Sequence, residues 1–409
     1  SGSRFRCDGW DSFKLGAVYR GDFVSGRAAR ALSAMSRGTT KMSDARGGQG
    51  AGGQGEDGVD AAGRPLSEEV FDDVLRRLEA SDMSERVQLF LIDDPEWRPG
   101  GPDGLTASSA EGTSGGPPSI ILAIPKAAMP LQGSEMGTGA KALAGLSVLA
   151  TLTTTFAYAV TVYALNPSFF DAVVNEGDSA ALVSCLPVFF GVLALQIVHE
   201  AAHVIAARLR DVEIGLPVPL PSLQIGTFGC ITPLRTFPKS RRDMLDLALS
   251  GPLVTMVISL VAVGAGLSLT VGASAESLQS MPMVPAGLMK SSFLMGSLTS
   301  VLAPKIMLVP LSQPVPVHPL FTMGLTGLVS SALNLLPVGR LDGGRAFSSA
   351  FGRRSAILVS FLTLVVMAVA ALSGSSQISI FWGLLVTVFQ RNGDVPCRDE
   401  VTGVGSARR

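Results

Sequence analysis

Residues 180–209, AALVSCLPVFFGVLALQIVHEAAHVIAARL, form one long apolar run with no charged residue between Leu182 and Val198. A stretch of about 20 apolar residues is enough for a helix to cross a ~30 Å hydrocarbon core. The second half of the run carries the pattern His-Glu-x-x-His at residues 199–203. On a helix, His199 and His203 share one face and can bind one metal ion. Glu200 lies beside them, placed to accept a proton from a metal-bound water.

Ionisable groups inside such a run are energetically costly. One charged side chain at the centre of a membrane helix costs roughly 2.5–3.5 kcal/mol on insertion scales, and here three ionisable groups fall within five positions. A metal ion would compensate for that cost. The chain has three histidines, two of them in this motif. The third, His318, is predicted to be an interfacial residue rather than a ligand.

The composition indicates a polytopic membrane protein. Of the 409 residues, 47% are hydrophobic and 16% are charged, against roughly 25% charged residues in an average soluble domain. A net charge of −1 and the lack of an RNA- or DNA-binding pattern predict no nucleic-acid partner. The cysteines form no Cys-x-x-Cys pair, which predicts neither a disulfide framework nor a thiolate zinc site. Cys230, close to the metal motif in sequence, is predicted to be a buried, inert thiol.

Two segments precede the membrane part. Residues 1–55 are rich in Arg, Ser and Gly and end in a glycine-rich run, so we expect them to be disordered, either as a transit-peptide remnant or as an unstructured tail. Residues 56–135 are predicted to form a small soluble α+β module. It is acidic, with 14 Asp and Glu against 5 Arg between residues 56 and 104. A helix is expected from an N-cap at Ser67 to Leu78, and a strand at Val87–Ile92. The acidic face is either a solvated surface or a docking surface.

Residues 140–409 are predicted to be a membrane domain, so the fold class is an all-α polytopic membrane protein of about six to eight transmembrane helices with the small N-terminal module. Six apolar spans are expected, at about 141–165, 180–209, 245–271, 317–339, 355–373 and 376–390. Lys and Arg flank one end of each span. If these basic ends face the compartment in which the protein is synthesised, the six spans alternate in direction and both termini lie on that side of the membrane. The interrupted stretch 281–303 does not fit a single crossing and is predicted to be re-entrant or interfacial.

This topology brings a second motif to the depth of the histidines. Asn334-Leu335-Leu336-Pro337 and Leu341-Asp342-Gly343-Gly344-Arg345 follow the span at 317–339, and their prolines and glycines should break the helix. Asp342 is therefore expected near His199 and His203, at the same membrane face. Two histidines and one carboxylate make a catalytic zinc site with a fourth position open to water.

These two motifs resemble the site-2 protease family of intramembrane metalloproteases. The plastid branch of that family, the ethylene-dependent gravitropism-deficient and yellow-green proteins, is similar in further segments, and the similarity covers roughly residues 140–409. Those segments are Ala248–Leu253, Pro337–Ala346, Ala350–Arg353 and the tail from Gln390 to Gly405. Arg340 departs from the pattern, since relatives in this branch usually carry Cys there. Some members of this branch have lost the His-Glu-x-x-His motif, which this chain retains.

The resemblance implies a zinc metalloprotease with Zn²⁺ on His199, His203 and Asp342 and with Glu200 as general base. The substrate would be a locally unwound transmembrane segment of another protein, cut within the lipid bilayer of a chloroplast membrane, either thylakoid or envelope. Asn334 is the candidate for binding substrate, or else an amide that caps the broken helix. Residues 216–233 form either an extended edge for the substrate or a connecting loop.

Two alternatives to an active protease stay open: a catalytically silent membrane chaperone or scaffold of the same fold, and a membrane metal-binding or transport protein. The retained Glu200 argues against the first. The second predicts ionisable residues spread over many spans, whereas here they cluster at one level beside a general base. The sequence does not indicate the oligomeric state.

Overall fold

The computed structural model describes residues 5–13, 16–23, 66–94, 119–128, 137–374, 377–389 and 394–405. The chain divides into two compact units. Unit 1 comprises Ser1–Pro130, Phe237–Asp243 and Pro396–Arg409, and unit 2 comprises Leu131–Thr236 and Met244–Val395.

The described residues of unit 1 form four strands and one helix. They are β1 (Phe5–Phe13), β2 (Gly16–Phe23), α1 (Leu66–Glu79), β3 (Val87–Asp93) and β4 (Ser119–Pro125). The strands pair antiparallel in the order β1-β2-β4-β3. Val70 and Phe71 of α1 are buried against Leu89, Leu91 and Ile121 of the sheet, which forms the core of this unit.

The strands β1 and β2 correct the prediction that residues 1–55 are disordered. They form a hairpin that adds two strands to the sheet, with Trp10 opposite Tyr19. The prediction rested on the average composition of the segment, in which the glycine-rich run outweighed the aromatic and β-branched residues at its start. The rest of that segment, from residue 24 to residue 55, lies outside the described residues.

The domain boundaries also differ from the predicted ones. Residues 396–405 were assigned to the membrane domain but belong to unit 1, where Leu91 N–H donates to Arg398 O at 2.7 Å and Glu400 N–H donates to Leu91 O at 2.9 Å. The predicted strand at residues 87–92 is confirmed. The predicted helix is also present, but it begins at Leu66, so Ser67 is inside the helix and the N-cap prediction was wrong.

Unit 2 is mostly helical and carries all the remaining elements. These are α2 (Thr138–Ala164), α3 (Pro167–Phe170), α4 (Leu186–Leu209), β5 (Val218–Ser222), β6 (Gly226–Ile231), α5 (Arg241–Gly272, shared with unit 1 at its start), α6 (Ala275–Gln279), β7 (Met283–Pro285), α7 (Ala286–Lys290), α8 (Phe293–Leu302), β8 (Pro314–Pro316), α9 (Pro319–Asn334), α10 (Asp342–Phe351), α11 (Arg353–Leu372) and α12 (Gln377–Phe389). A π-helical turn (Asp171–Asn175) and two 3₁₀ turns (Ser179–Cys185 and Pro304–Leu308) connect some of them.

Four helical segments of the described chain are long and apolar enough to cross a membrane: Thr138–Ala164, Ser179–Leu209, Arg241–Gly272 and Arg353–Leu372. They correspond to four of the six predicted spans. The predicted span at 317–339 contains α9, which has 16 residues, and the span at 376–390 contains α12, which has 13. Both are shorter than the roughly 20 residues that a straight crossing of the hydrocarbon core needs.

Prolines determine the length of α9. The helix starts at Pro319, and the His318 ring accepts a hydrogen bond from Leu320 N–H at 3.2 Å, which caps its first turn. It ends at Asn334, three residues before Pro337, which has no N–H to continue the ladder. Hydropathy alone does not register these ends, because the residues beyond them are also apolar.

The stretch 281–303 does not form one helix. It contains β7, which pairs antiparallel with β8, followed by α7 and α8. Val284, Met289 and Met295 are buried in a core with Val263 of α5 and Phe321 of α9. None of these elements is long enough to cross a bilayer, and a re-entrant or interfacial position stays a prediction.

The strands β5 and β6 form a hairpin that lies against α2. Ser147 of α2 donates a hydrogen bond to Pro219 O, and Thr154 donates to Gly226 O at 2.7 Å. Gly226 has a positive φ of 83°, and a Cβ there would lie 3.1 Å from Thr155. Glycine thus allows the hairpin to turn in close contact with the helix.

Candidate active site

The helix α4 places both histidines on its buried face. Val188, Val192, Leu195, His199, His203 and Ala207 are the buried residues of α4, and their spacing of three or four makes one continuous stripe. The two imidazole Nε2 atoms are 3.1 Å apart, and the rings are nearly edge-to-face. The histidines therefore extend a stripe that is otherwise apolar, and their nitrogens converge.

The carboxylate of Asp342 lies against the two histidines. Its Oδ2 is 3.3 Å from Nε2 of His199 and 3.4 Å from Nε2 of His203. Asp342 is the first residue of α10, where the helix dipole favours a negative charge. The predicted grouping of two histidines and one aspartate is present as three ligand atoms within 4.8 Å of one another.

The two glycines after Asp342 explain how the carboxylate reaches this position. A Cβ on Gly343 would lie 2.0 Å from Leu335 O, and one on Gly344 would lie 2.3 Å from Gly339 O. The start of α10 therefore packs directly on the backbone of the turn that follows α9. Only glycine permits this contact, which brings Asp342 back to the level of α4.

The three ligand atoms fit a zinc ion. A tetrahedral zinc with bonds of about 2.0–2.1 Å to nitrogen and oxygen has edges of about 3.3 Å between ligand atoms. The observed separations are 3.1, 3.3 and 3.4 Å. Gly251 of α5 leaves the necessary space, because a Cβ there would lie 2.3 Å from His203 Nε2 and 2.8 Å from His199 Nε2. Three protein ligands leave a fourth position for water or substrate.

A hydrogen bond from the far side of the ring orients His203. Its Nδ1 is 2.9 Å from Leu247 O, a carbonyl that can only accept, so Nδ1 carries the proton and donates. The Ser250 hydroxyl also donates to Leu247 O at 2.7 Å and lies 3.2 Å from Nδ1. This arrangement leaves Nε2 with a free lone pair toward Asp342, which is the tautomer that a metal ligand needs.

Glu200 lies at the same site, with its carboxylate held by two neutral donors. Thr232 Oγ1 donates to Oε2 at 2.9 Å, and Gln196 Nε2 donates to Oε1 at 3.1 Å. Gln196 Nε2 is also 3.3 Å from the sulfur of Cys230. The residue proposed as general base is therefore fixed at the cavity wall.

One cavity is lined by His199, His203, Asp342, Glu200 and Thr232. Asn334, Arg340, Arg345 and Cys230 line it together with the three ligands and Glu200. Asn334 is buried at the end of α9 and faces β6, where a Cβ on Gly229 would lie 2.7 Å from its amide nitrogen. Cys230, predicted to be buried and inert, is partly exposed to this cavity. His318 lies instead at the start of α9, as its helix cap.

Sequence reasoning missed Gln196, Thr232 and Gly251. Gln196 had a detectable signal, since it precedes Glu200 by four residues and must share its helix face. Gly251 lies in the segment Ala248–Leu253, which resembles the plastid branch, but that resemblance did not indicate its role at the site. Thr232 had no signal, because a single hydroxyl carries no recognisable spacing. Both reach the site only through the tertiary arrangement of β6 and α5.

Comparison with known proteins agrees with this geometry. Residues 187–373 match Peptidase family M50, and the matched region contains both histidines, Glu200 and Asp342. This part of the chain is similar to peptidase family M50. The matched region also contains α9, α10 and the hairpin of β5 and β6, so every residue that lines the cavity lies within it.

The chain is also similar to several curated plant proteins. The chain is 35% identical over 227 residues to "Probable zinc metalloprotease EGY1, chloroplastic" of Oryza sativa subsp. japonica, covering 55% of this chain and 38% of the relative. It is 34% identical over 228 residues to the Arabidopsis thaliana protein of the same name, covering 55% and 40%. "Probable zinc metalloprotease EGY2, chloroplastic" of Oryza sativa subsp. indica is 30% identical over 205 residues, covering 50% and 36%. The alignments thus span less than half the length of these relatives. No solved structure matches the chain.

Proposed function

We propose that this protein is an intramembrane zinc metalloprotease that hydrolyses peptide bonds within or near transmembrane segments of other proteins. The observation that carries the proposal is the convergence of His199, His203 and Asp342. Both histidines and the neighbouring Glu200 lie on a helix that is long enough to cross a membrane. The names of the relatives, zinc metalloproteases of the chloroplast, support the metal and a chloroplast membrane as the location.

Several residues of the cavity and its surroundings have separate roles in peptide hydrolysis. Zinc, when bound, lowers the pKa of a water ligand to about 7 and polarises the scissile carbonyl. Glu200 accepts a proton at its carboxylate and later donates it to the leaving amine. The Asn334 amide, buried at the cavity wall, donates a hydrogen bond to the substrate backbone. Gly251 keeps space open beside the two imidazoles.

The substrate must present an extended backbone, because a peptide bond inside an intact helix is inaccessible to attack. The strand β6 ends in the cavity with Cys230 and Ile231, and it pairs with β5 along one edge. We propose that the substrate strand adds to the other edge of β6, where backbone hydrogen bonds would hold it extended. This role replaces the alternative of a plain connecting loop for residues 216–233.

The membrane arrangement that we propose has six spans. The four long helices cross the bilayer, and the shorter helices α9 and α12 complete the set. The stretch 281–303 would remain re-entrant or interfacial. Unit 1 would lie outside the bilayer as a soluble module, with a lipid bilayer and transmembrane substrates as the partners of unit 2.

A two-variant experiment tests the proposal. Glu200→Gln keeps all three metal ligands, so the purified protein should retain zinc but no longer cleave a co-expressed membrane substrate. His199→Ala removes a ligand and should lower the zinc-to-protein ratio measured by mass spectrometry. Proteomics of membranes with the wild-type protein or Glu200→Gln identifies the substrate as the protein that accumulates uncut. Cleavage that persists in Glu200→Gln would refute the protease assignment.

A further inference from the structure

We propose that Thr232 and Gln196 are positioning residues that fix the orientation of the Glu200 carboxylate beside the metal site. The inference rests on the proposed function of Glu200 as general base. Oε2 of the carboxylate accepts a hydrogen bond from Thr232 at 2.9 Å, and Oε1 accepts one from Gln196 at 3.1 Å. We call this pair of donors the Glu200 clamp. The Cys230 thiol also bonds to this carboxylate.

The two donors come from different elements, which prevents the carboxylate from rotating. Gln196 precedes Glu200 by one turn of α4 and lies on the same face. Thr232 directly follows β6, across the cavity from the helix. A glutamate side chain has several rotatable bonds and loses substantial entropy when it is ordered. Hydrogen bonds from two directions stabilise one conformer before any substrate arrives.

The clamp leaves the carboxylate able to accept a proton. Each carboxylate oxygen offers about two acceptor positions, and the clamp uses one on each oxygen. Catalysis depends steeply on such placement, since a displacement of about 1 Å at a reacting group can reduce the rate about 100-fold. The clamp therefore fixes the position of the base and takes up only part of its acceptor capacity.

The element that carries Asp342 also holds Thr232 in place. Nη1 of Arg345, in α10, lies 3.5 Å from Thr232 O, and Nε of Arg345 pairs with Asp394 at 3.1 Å. Both side chains of this ion pair are largely buried. One helix thus supplies a metal ligand at its first residue and supports the clamp one turn later.

Paired variants of the full chain, purified with zinc, test the clamp. Thr232→Val keeps the shape but removes the donor, whereas Thr232→Ser keeps the donor. Gln196→Met removes the second donor from inside α4. Thr161→Val is the control, because the exposed Thr161 hydroxyl bonds only within its own helix. All four variants should bind zinc at the wild-type ratio.

The first readout is the affinity for a hydroxamate, measured by calorimetry. A hydroxamate binds zinc through its oxygens and shares its proton with a correctly placed neighbouring carboxylate. Loss of a hydrogen bond to a charged group predicts that Thr232→Val and Gln196→Met weaken hydroxamate binding by about 10–100-fold. Thr232→Ser and Thr161→Val should stay within about threefold of the wild type.

A double-mutant cycle separates the clamp from a general structural role. In the Glu200→Ala background there is no carboxylate to orient, so Thr232→Val should weaken hydroxamate binding no further. In a cleavage assay, Thr232→Val should reduce kcat and leave KM nearly unchanged, because the base acts only in the chemical step.

The outcomes distinguish the clamp from the protease assignment. Unchanged hydroxamate affinity in both Thr232→Val and Gln196→Met would overturn the clamp, as would additive effects in the cycle or a lack of rescue by Thr232→Ser. Zinc-loaded wild-type protein that binds no hydroxamate would also overturn it. Coupled losses of hydroxamate affinity in a protein that cleaves no membrane substrate would support the clamp while refuting the proposed protease activity.

Discussion

Gly251 is the position where one added methyl group should disable metal binding most directly. In Gly251→Ala the new Cβ would lie 2.3 Å from Nε2 of His203 and 2.8 Å from Nε2 of His199. An ordinary contact begins at 3.4 Å, so the His203 ring must move by about 1 Å. Metal ligands tolerate displacements of only about 0.2 Å. We therefore expect zinc affinity to fall by at least about 100-fold, more than the 10–100-fold typical of changes around the ligands.

The fold should survive this change. Overpacking by one methyl group costs about 1–3 kcal/mol, which is smaller than the roughly 5–15 kcal/mol that stabilises a typical native protein. The matched control is Gly264→Ala in the same helix, where the new Cβ would meet only Leu302 at an ordinary 3.8 Å. Zinc affinity is measured by competition with a chelator on the purified proteins, and folding by thermal unfolding monitored by circular dichroism.

The comparison of the two variants tests whether zinc binds between the two histidines beside Gly251. Gly251→Ala should lose zinc while keeping its helical signal, and Gly264→Ala should behave as the wild type in both assays. If Gly251→Ala bound zinc with unchanged affinity, the metal would not lie between the two histidines as described. If both variants lost zinc equally, the effect would belong to the packing of α5 and not to the site.

Two further predictions follow from local geometry and charge. Gly343→Ala would place a Cβ 2.0 Å from Leu335 O, so it should displace the start of α10 and lower the zinc content of the purified protein. The control is Gly383→Ala, whose new Cβ would have no atom within 4 Å, and it should keep the wild-type zinc content. Equal zinc content in the two variants would contradict the close packing of α10 on the turn after α9. Burial raises the pKa of Asp399 above its usual 3.8, although hydrogen bonds from Thr402 partly offset the rise. The folded state thus holds this proton more tightly, and the stability it contributes is lost as pH rises through the folded pKa. Asp399→Asn should flatten the decline in melting temperature as the pH rises above about 4, and an unchanged decline would exclude this carboxyl as its cause.

The sequence could predict the grouping of the candidate metal ligands because their chemistry is local. His199 and His203 are four residues apart on a helix, and the helix period alone brings them together. Asp342 required one further step, the matching of membrane depth between two spans. The structure brings all three within reach of one ion. Zinc ligands must be side chains of a few types, which is why so little information suffices.

The groups around the ligands could not be predicted in the same way. Thr232 contributes an ordinary hydroxyl, and Gly251 contributes only the space left by a missing side chain. Their effect depends on distances of a few ångströms between elements that are far apart in sequence. The predicted span at 317–339 was also longer than α9, because hydropathy continues past both ends of the helix, although the prolines and glycines after Asn334 did predict the helix break.

The sheet of unit 1 is built from opposite parts of the sequence. Arg398 Nε donates to Leu89 O although the two residues are 309 positions apart, and Leu91 bonds to the backbone on both sides of Asp399. A ribosome must therefore synthesise the whole of unit 2 before β3 can gain this partner. We expect one edge of β3 to stay without these backbone hydrogen bonds until the membrane helices have been synthesised. Completion of unit 1 would then report that translation had passed residue 400.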